Sequence, residues 1–191
     1  MMDEQPAEPH ATVWTIGHST RSSDEFLTLL HEHAILRLID IRRYAGSRRY
    51  PHFHSDALRK TLVDAGLEYH HLVGLGGRRT TRPDSPNSGW KNAGFRGYAD
   101  YMGTEPFQDA LRELMDHAAA SRTAIMCAEA VPWRCHRSLV ADALVTHDWQ
   151  VTHIMGPGQV KLHHLTAFAV IKAGRLVYPA PTDQDTPPRL F

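Results

Sequence analysis

Residues 124–142 read AIMCAEAVPWRCHRSLVAD, and this stretch decides the fold. It opens within an apolar run, Thr123-Ala-Ile-Met-Cys127, which predicts a buried strand over 123–129. It closes on a pattern with Leu139, Val140, Ala143 and Leu144 on one side, which predicts a helix over 135–146. Between them lie both cysteines of the chain, Cys127 and Cys135. In this β-loop-α reading, Cys127 and Glu129 end a strand, while Cys135, His136 and Arg137 begin a helix. That is where α/β proteins place their chemistry.

The same alternation extends outward. Further strands are predicted over 13–17, 36–41, 67–73 and 150–155. Between them fall a helix capped by Ser22 or Ser23, one over 56–65 capped by Ser55, one over 95–102, and one capped by Thr104. Residues 159–166 suggest a helical turn, and 167–171 with 175–178 a β-hairpin around Lys172-Ala173-Gly174. The expected class is α/β, a three-layer sandwich around a mainly parallel sheet of about five strands with a C-terminal hairpin. Residues 12–178 are expected to form a single domain, with a flexible leader (1–11) and a flexible tail (179–191). Right-handed crossovers bring the strand ends to one edge. The loops meeting there carry His18, Ser19, Arg21, Arg42, Arg43, Cys127, Glu129, residues 133–137 and His153.

Composition narrows the partners. The 191 residues carry a formal net charge of zero, so the global field does not draw the chain to nucleic acid or membrane. No apolar run approaches the roughly 20 residues of a membrane span. Two cysteines make no disulfide framework, and with no visible signal peptide reduced thiols in the cytoplasm are expected. Oligomeric state is left open.

The local chemistry is that of an anion site. A helix N-terminus beside Arg134, His136 and Arg137 stabilises negative charge and favours a thiolate at Cys135. Cys127, at a strand end, is expected to be the more buried thiol. Arg21, Arg42, Arg43, Arg78, Arg96, Arg134 and Arg137 fall in or beside loops, and arginine forks match phosphate, sulfate or carboxylate oxygens. Ser19 joins them on the loop after the first strand. Glu129 and His18 are candidates to move protons, and Cys127 or Cys135 to act as nucleophile. Asp40 is a base, an orienter of arginine, or an ion-pair partner of Arg42 or Arg43. Residues 74–98 interleave Arg78, Arg79, Arg82, Lys91 and Arg96 with Trp90, Phe95 and Tyr98, which suits a nucleotide, single-stranded nucleic acid, or a lid over a small anion. Cys127, Cys135, His136, His18 and His52 are soft ligand types, but Cys-x7-Cys-His is not a structural zinc spacing, so neither metal nor cofactor is expected.

In combination, Thr15-Ile-Gly-His-Ser-Thr20, Leu38-Ile-Asp-Ile-Arg42, Ser47-Arg-Arg49 with Pro51-His-Phe53, Leu75-Gly-Gly-Arg78, residues 95–102 (FRGYADYM), and Met126-Cys-Ala-Glu129 with residues 133–137 (WRCHR) resemble the bacterial family known as domain of unknown function 488. The resemblance spans roughly residues 13–155 and implies an α/β fold with a family-wide site but no established activity. Ala45 stands where the family's pattern has proline. A weaker similarity is to rhodanese-like domains, on Asp40-Ile41-Arg42 and on Cys127 through Ser138. The loop from Cys127 to Arg134 departs from that pattern: it is one residue longer than in the related phosphatases and contains Pro132 and Trp133 but no glycine.

Two functions follow from these features. The first is an enzyme acting on an anionic small molecule or nucleotide. The second is a non-catalytic module binding a nucleotide or nucleic acid through the Arg/aromatic loop.

Overall fold

The computed structural model describes residues 11–180. The expected leader and tail lie outside the described residues, apart from residues 11, 179 and 180. In chain order the elements are β1 (Thr12–Gly17), α1 (Ser23–Glu32), β2 (Arg37–Asp40), α2 (Ser55–Asp64), β3 (Glu68–His71), α3 (Ala93–Met102), α4 (Glu105–Ala120), β4 (Thr123–Cys127), α5 (Arg137–Val145), β5 (Gln150–Gly156), β6 (Gln159–Leu162), β7 (Val170–Lys172) and β8 (Arg175–Val177). Short 3₁₀ turns at Pro51–Phe53, Val73–Leu75 and Pro132–Arg134 punctuate the loops.

The main sheet has six strands in the order β3-β2-β4-β1-β5-β6, and β7-β8 form a separate antiparallel hairpin. β1 to β5 run parallel, while β6 returns antiparallel on β5. Residues 159–162 are therefore an edge strand rather than a helical turn. All four are exposed, so no buried face imposes an apolar period on the sequence.

β4 sits between β1 and β2 and is buried along its whole length, as its unbroken apolar run requires. Its side chains alternate between two cores. Ala124 and Met126 pack with Phe26, Leu30, Leu58 and Leu62 of α1 and α2. Ile125 and Cys127 pack with Tyr98, Phe107, Leu111, Leu139 and Val140 of α3, α4 and α5. The outgoing connections of β1 and β2 thus cover one face and that of β4 covers the other. Where neighbouring strands part in this way, a crevice opens at their C-terminal ends.

Local signals set the helix starts. Ser22 and Glu25 form a reciprocal capping box on α1. Asn92 accepts from the backbone N–H groups of Gly94 and Phe95, which starts α3 two residues before the position that periodicity indicates. α5 begins at Arg137, so Cys135 and His136 precede the helix instead of forming its first turn. Among the described residues, no helix is long and apolar enough to cross a membrane.

The second half of the stretch between Val73 and α3 is tied to the fold at Arg82, Ser85, Asn87 and Trp90. Asp100, on α3, accepts from the Arg82 backbone N–H (2.8 Å), from the Ser85 hydroxyl and from Asn87 Nδ2 (2.8 Å). Asn87 Oδ1 in turn accepts from Tyr178 N. Trp90 stacks on Phe95 with ring centroids 4.9 Å apart and packs against Phe168 and Tyr178, so its ring is partly buried against the core rather than a free platform for a base.

Candidate functional site

β1, β2 and β4 deliver the site. Gly17 lies opposite Cys127 in the β1–β4 register, and Asp40 lies opposite Met126 in β2–β4. Beyond the strand ends the pairing continues: His18 N donates to Cys127 O and Ser19 N to Ala128 O, both at 2.9 Å. The two segments approach so closely at Gly17 that a Cβ there would lie 1.8 Å from Glu129 O, which excludes any side chain.

Above these ends lies a cleft of about 1210 Å³. Its lining includes six arginines (Arg42, Arg43, Arg48, Arg49, Arg78 and Arg134), against the single carboxylate of Glu129. The zero net charge of the chain therefore conceals a strongly cationic concavity. Arg48 and Arg134 are exposed, and among the described residues neither guanidinium has a hydrogen bond or ion pair. Arg43 and Arg78 lie over the Tyr44 ring from 5.7 and 5.8 Å, and Arg43 donates to the Arg78 carbonyl. Ser19 (φ 50°) and Arg78 (φ 58°) both line the cleft in left-handed backbone.

The floor holds Cys127, Cys135 and His136. His136 Nε2–H donates to Ile41 O at 3.0 Å, which leaves Nδ1 as the lone-pair nitrogen. That nitrogen faces Cys127 Sγ at 3.9 Å and Cys135 Sγ at 3.7 Å. A Cβ on Gly77 would lie 2.8 Å from the same nitrogen, so Gly77 packs its bare backbone on the imidazole and holds the ring in place. The Arg137 backbone N–H points at Cys135 Sγ at 3.4 Å. The hydrogen bond from Cys135, aided by the nearby Arg137 charge, draws the Cys127 thiol well below its ordinary range despite burial. The same shared bond, together with burial, pushes Cys135 well above.

The other expected residues divide into cleft groups and supports. Arg42 lines the cleft, but its Nε and Nη2 bind Asp40, and its Nη1 reaches His18 Nε2 at 3.4 Å. Asp40 is fully buried and also accepts from Tyr69 OH at 2.9 Å, so it is the ion-pair partner of Arg42. His18 donates from Nδ1 to Ser19 O and stacks on Phe53 at 4.3 Å. Burial, aided by Arg42, lowers its pKa to about 4, so the ring is neutral at neutral pH. Glu129 is exposed at the rim.

Arg137 and Arg96 do not line the cleft. Arg137 is buried beneath it and donates to the carbonyls of Ile16, Glu129 and Ala130, clamping the β4–α5 loop onto β1. Arg96 donates to Trp90 O. His153 also lies away from the cleft, in a buried chain. With neutral rings, Thr15 donates to His153 Nδ1 (2.7 Å), His153 Nε2 to His163 Nδ1 (3.0 Å) and His163 Nε2 to Asp142 (2.9 Å). Arg48 and Arg49, outside the set of arginines expected to bind an anion, also line the cleft. The Ser47-Arg-Arg49 run marks them in the sequence, but where their loop comes to lie is a tertiary matter.

No curated protein and no solved structure matches the chain. Nothing in the comparisons supports a relationship to rhodanese-like domains. The sequence model of the family described as Domain of unknown function DUF488 matches residues 22–144, which hold β2, β4, the Arg48–Arg49 loop and the whole Cys/His cluster. Well over half of the chain is matched, and the protein belongs to the DUF488 family.

Proposed function

We propose that the protein is an enzyme acting on an anionic small molecule or nucleotide. The observation that carries this reading is that the unpaired guanidinium groups and the Cys/His cluster line one and the same cleft. Arg48 and Arg134 bind the anion, with Arg43, Arg49 and Arg78 completing the field around it. Arg42, held by Asp40, is a positioning residue for His18. The cluster at the floor carries the reacting groups. The cleft is large enough for a nucleotide, and Tyr44 and Tyr50 offer ring faces beside the arginines.

Binding of inorganic phosphate and of nucleoside phosphates, measured by calorimetry at two salt concentrations, tests the reading. The double variant Arg48→Ala/Arg134→Ala is expected to weaken binding by at least about 100-fold at unchanged melting temperature, since each charge-assisted hydrogen bond contributes roughly 1.5–3 kcal/mol. Equal binding by wild type and variant would remove these residues from the site. No binding of any anion by the wild type would end the proposal.

A further inference from the structure

The spacing Cys-x7-Cys-His argues against a closed structural zinc knuckle, whose ligands come in tight pairs on one loop. The fold supplies the ligands differently, one from the end of β4 and two from just before α5. The Sγ atoms of Cys127 and Cys135 and a ring nitrogen of His136 lie within 4.8 Å of one another. Sulfur-to-nitrogen separations are 3.9 and 3.7 Å. Zinc–sulfur and zinc–nitrogen bonds in a tetrahedral centre require about 3.5 Å between S and N. The sulfur-to-nitrogen distances therefore need to contract by only a few tenths of an ångström, and the sulfur–sulfur distance, which is at most 4.8 Å, by up to about 1 Å, to close the set around one ion.

Two further features match such a centre. His136 has its other nitrogen committed to Ile41 O, the usual arrangement for a metal-bound imidazole, and it leaves the Nδ1 lone pair aimed at both sulfurs. The Arg137 N–H to Cys135 Sγ contact is the kind of donor that supports a ligating thiolate. Without a cation, two buried thiols compete for one lone pair. A cation satisfies all three groups at once.

We propose that Cys127, Cys135 and His136 form a mononuclear metal site of zinc type, with two thiolates and one imidazole, whose fourth position opens into the arginine-lined cleft. Three protein ligands with one open position is the composition of catalytic rather than structural zinc. Binding releases the thiol protons to solvent and involves no change of oxidation state. The open position takes water or an oxygen of the anion. Only this last role rests on the reading of the cleft as an anion site; the ligand set stands without it.

The test uses the full chain, free of any metal-binding tag, stripped with a chelator and titrated separately with Zn²⁺ and Co²⁺. One equivalent of each is expected to bind, with Co²⁺ producing sulfur-to-metal charge-transfer absorption and the intense visible bands of a four-coordinate ion. Cys127→Ser and His136→Gln should each lower Zn²⁺ affinity by at least about 100-fold, since loss of even an outer partner costs 10–100-fold. Wild-type protein that binds neither ion, or binds Co²⁺ without charge-transfer absorption, overturns the site without reference to any variant. Phosphate binding measured on stripped and loaded protein separates the two proposals. Metal binding without anion binding sinks only the role of the cleft, and anion binding without metal sinks only the metal site.

Discussion

Arg42→Ala is expected to destabilise the protein by about 3–5 kcal/mol, because it leaves the fully buried Asp40 carboxylate without its counter-ion. In that variant Asp40 would retain the backbone N–H at position 42, where Arg42 N now donates at 3.0 Å, and the Tyr69 hydroxyl at 2.9 Å. These are two dipoles in place of a charge. Arg42→Lys should fall in between, since an ammonium cannot span both carboxylate oxygens as the guanidinium does. Tyr69→Phe removes one hydrogen bond and should cost about 1–3 kcal/mol. Urea unfolding gives all three numbers. A loss below about 1 kcal/mol for Arg42→Ala would show that the pair is hydrated in solution and that Arg42 does not hold the base of the cleft.

Mild acid should unfold the protein, and histidines rather than carboxylates should lead. Burial, then the neighbouring His163, Arg137 and Lys161, lower the His153 pKa to about 3. Burial and Arg42 lower that of His18 to about 4. In the unfolded chain both titrate near 6.5. Between the folded and unfolded values the unfolded state binds the extra proton, so stability is complete above about pH 7.5 and declines as pH falls. The two rings together should remove about 5 kcal/mol between about pH 6 and pH 4, comparable with the lower range of a domain's total stability. His153→Gln keeps a donor and an acceptor in the chain from Thr15 to Asp142 but cannot be charged. It should cut this acid sensitivity by about half. An unchanged acid midpoint would place the proton elsewhere.

Much of this architecture is legible in the sequence, and the limits have physical causes. The β4–loop–α5 corner can be read because a strand buried on both faces is continuously apolar, although α5 itself is buried on nearly every side and carries little period of its own. β6 cannot, because an exposed edge strand has no buried face to mark it. Cys127, Cys135, His136, His18, Ser19, Glu129, Arg42, Arg78 and Arg134 do gather at one cleft, because strand ends in a parallel sheet must share an edge. Arg137 is different. Its guanidinium binds carbonyls of β1 and of the loop after β4, and the Ile16 partner lies 121 residues away in sequence. A charged residue beside other charged residues carries no mark of such a bond. The same holds for Asp100, which reads as an ordinary helix acid but orders the preceding loop through three donors.

Whether the arginines and the Cys/His cluster form a single site is tested most directly by the rate of Cys127 alkylation with a small neutral reagent. The rate is followed by mass spectrometry on metal-free protein, with and without a saturating nucleoside phosphate. The bound anion is expected to slow modification of Cys127 by at least about tenfold, the protection expected when a ligand buries most of its surface in the cleft. Arg48→Ala/Arg134→Ala should lose this protection. An anion that binds at saturation yet leaves the Cys127 rate unchanged would contradict a single site.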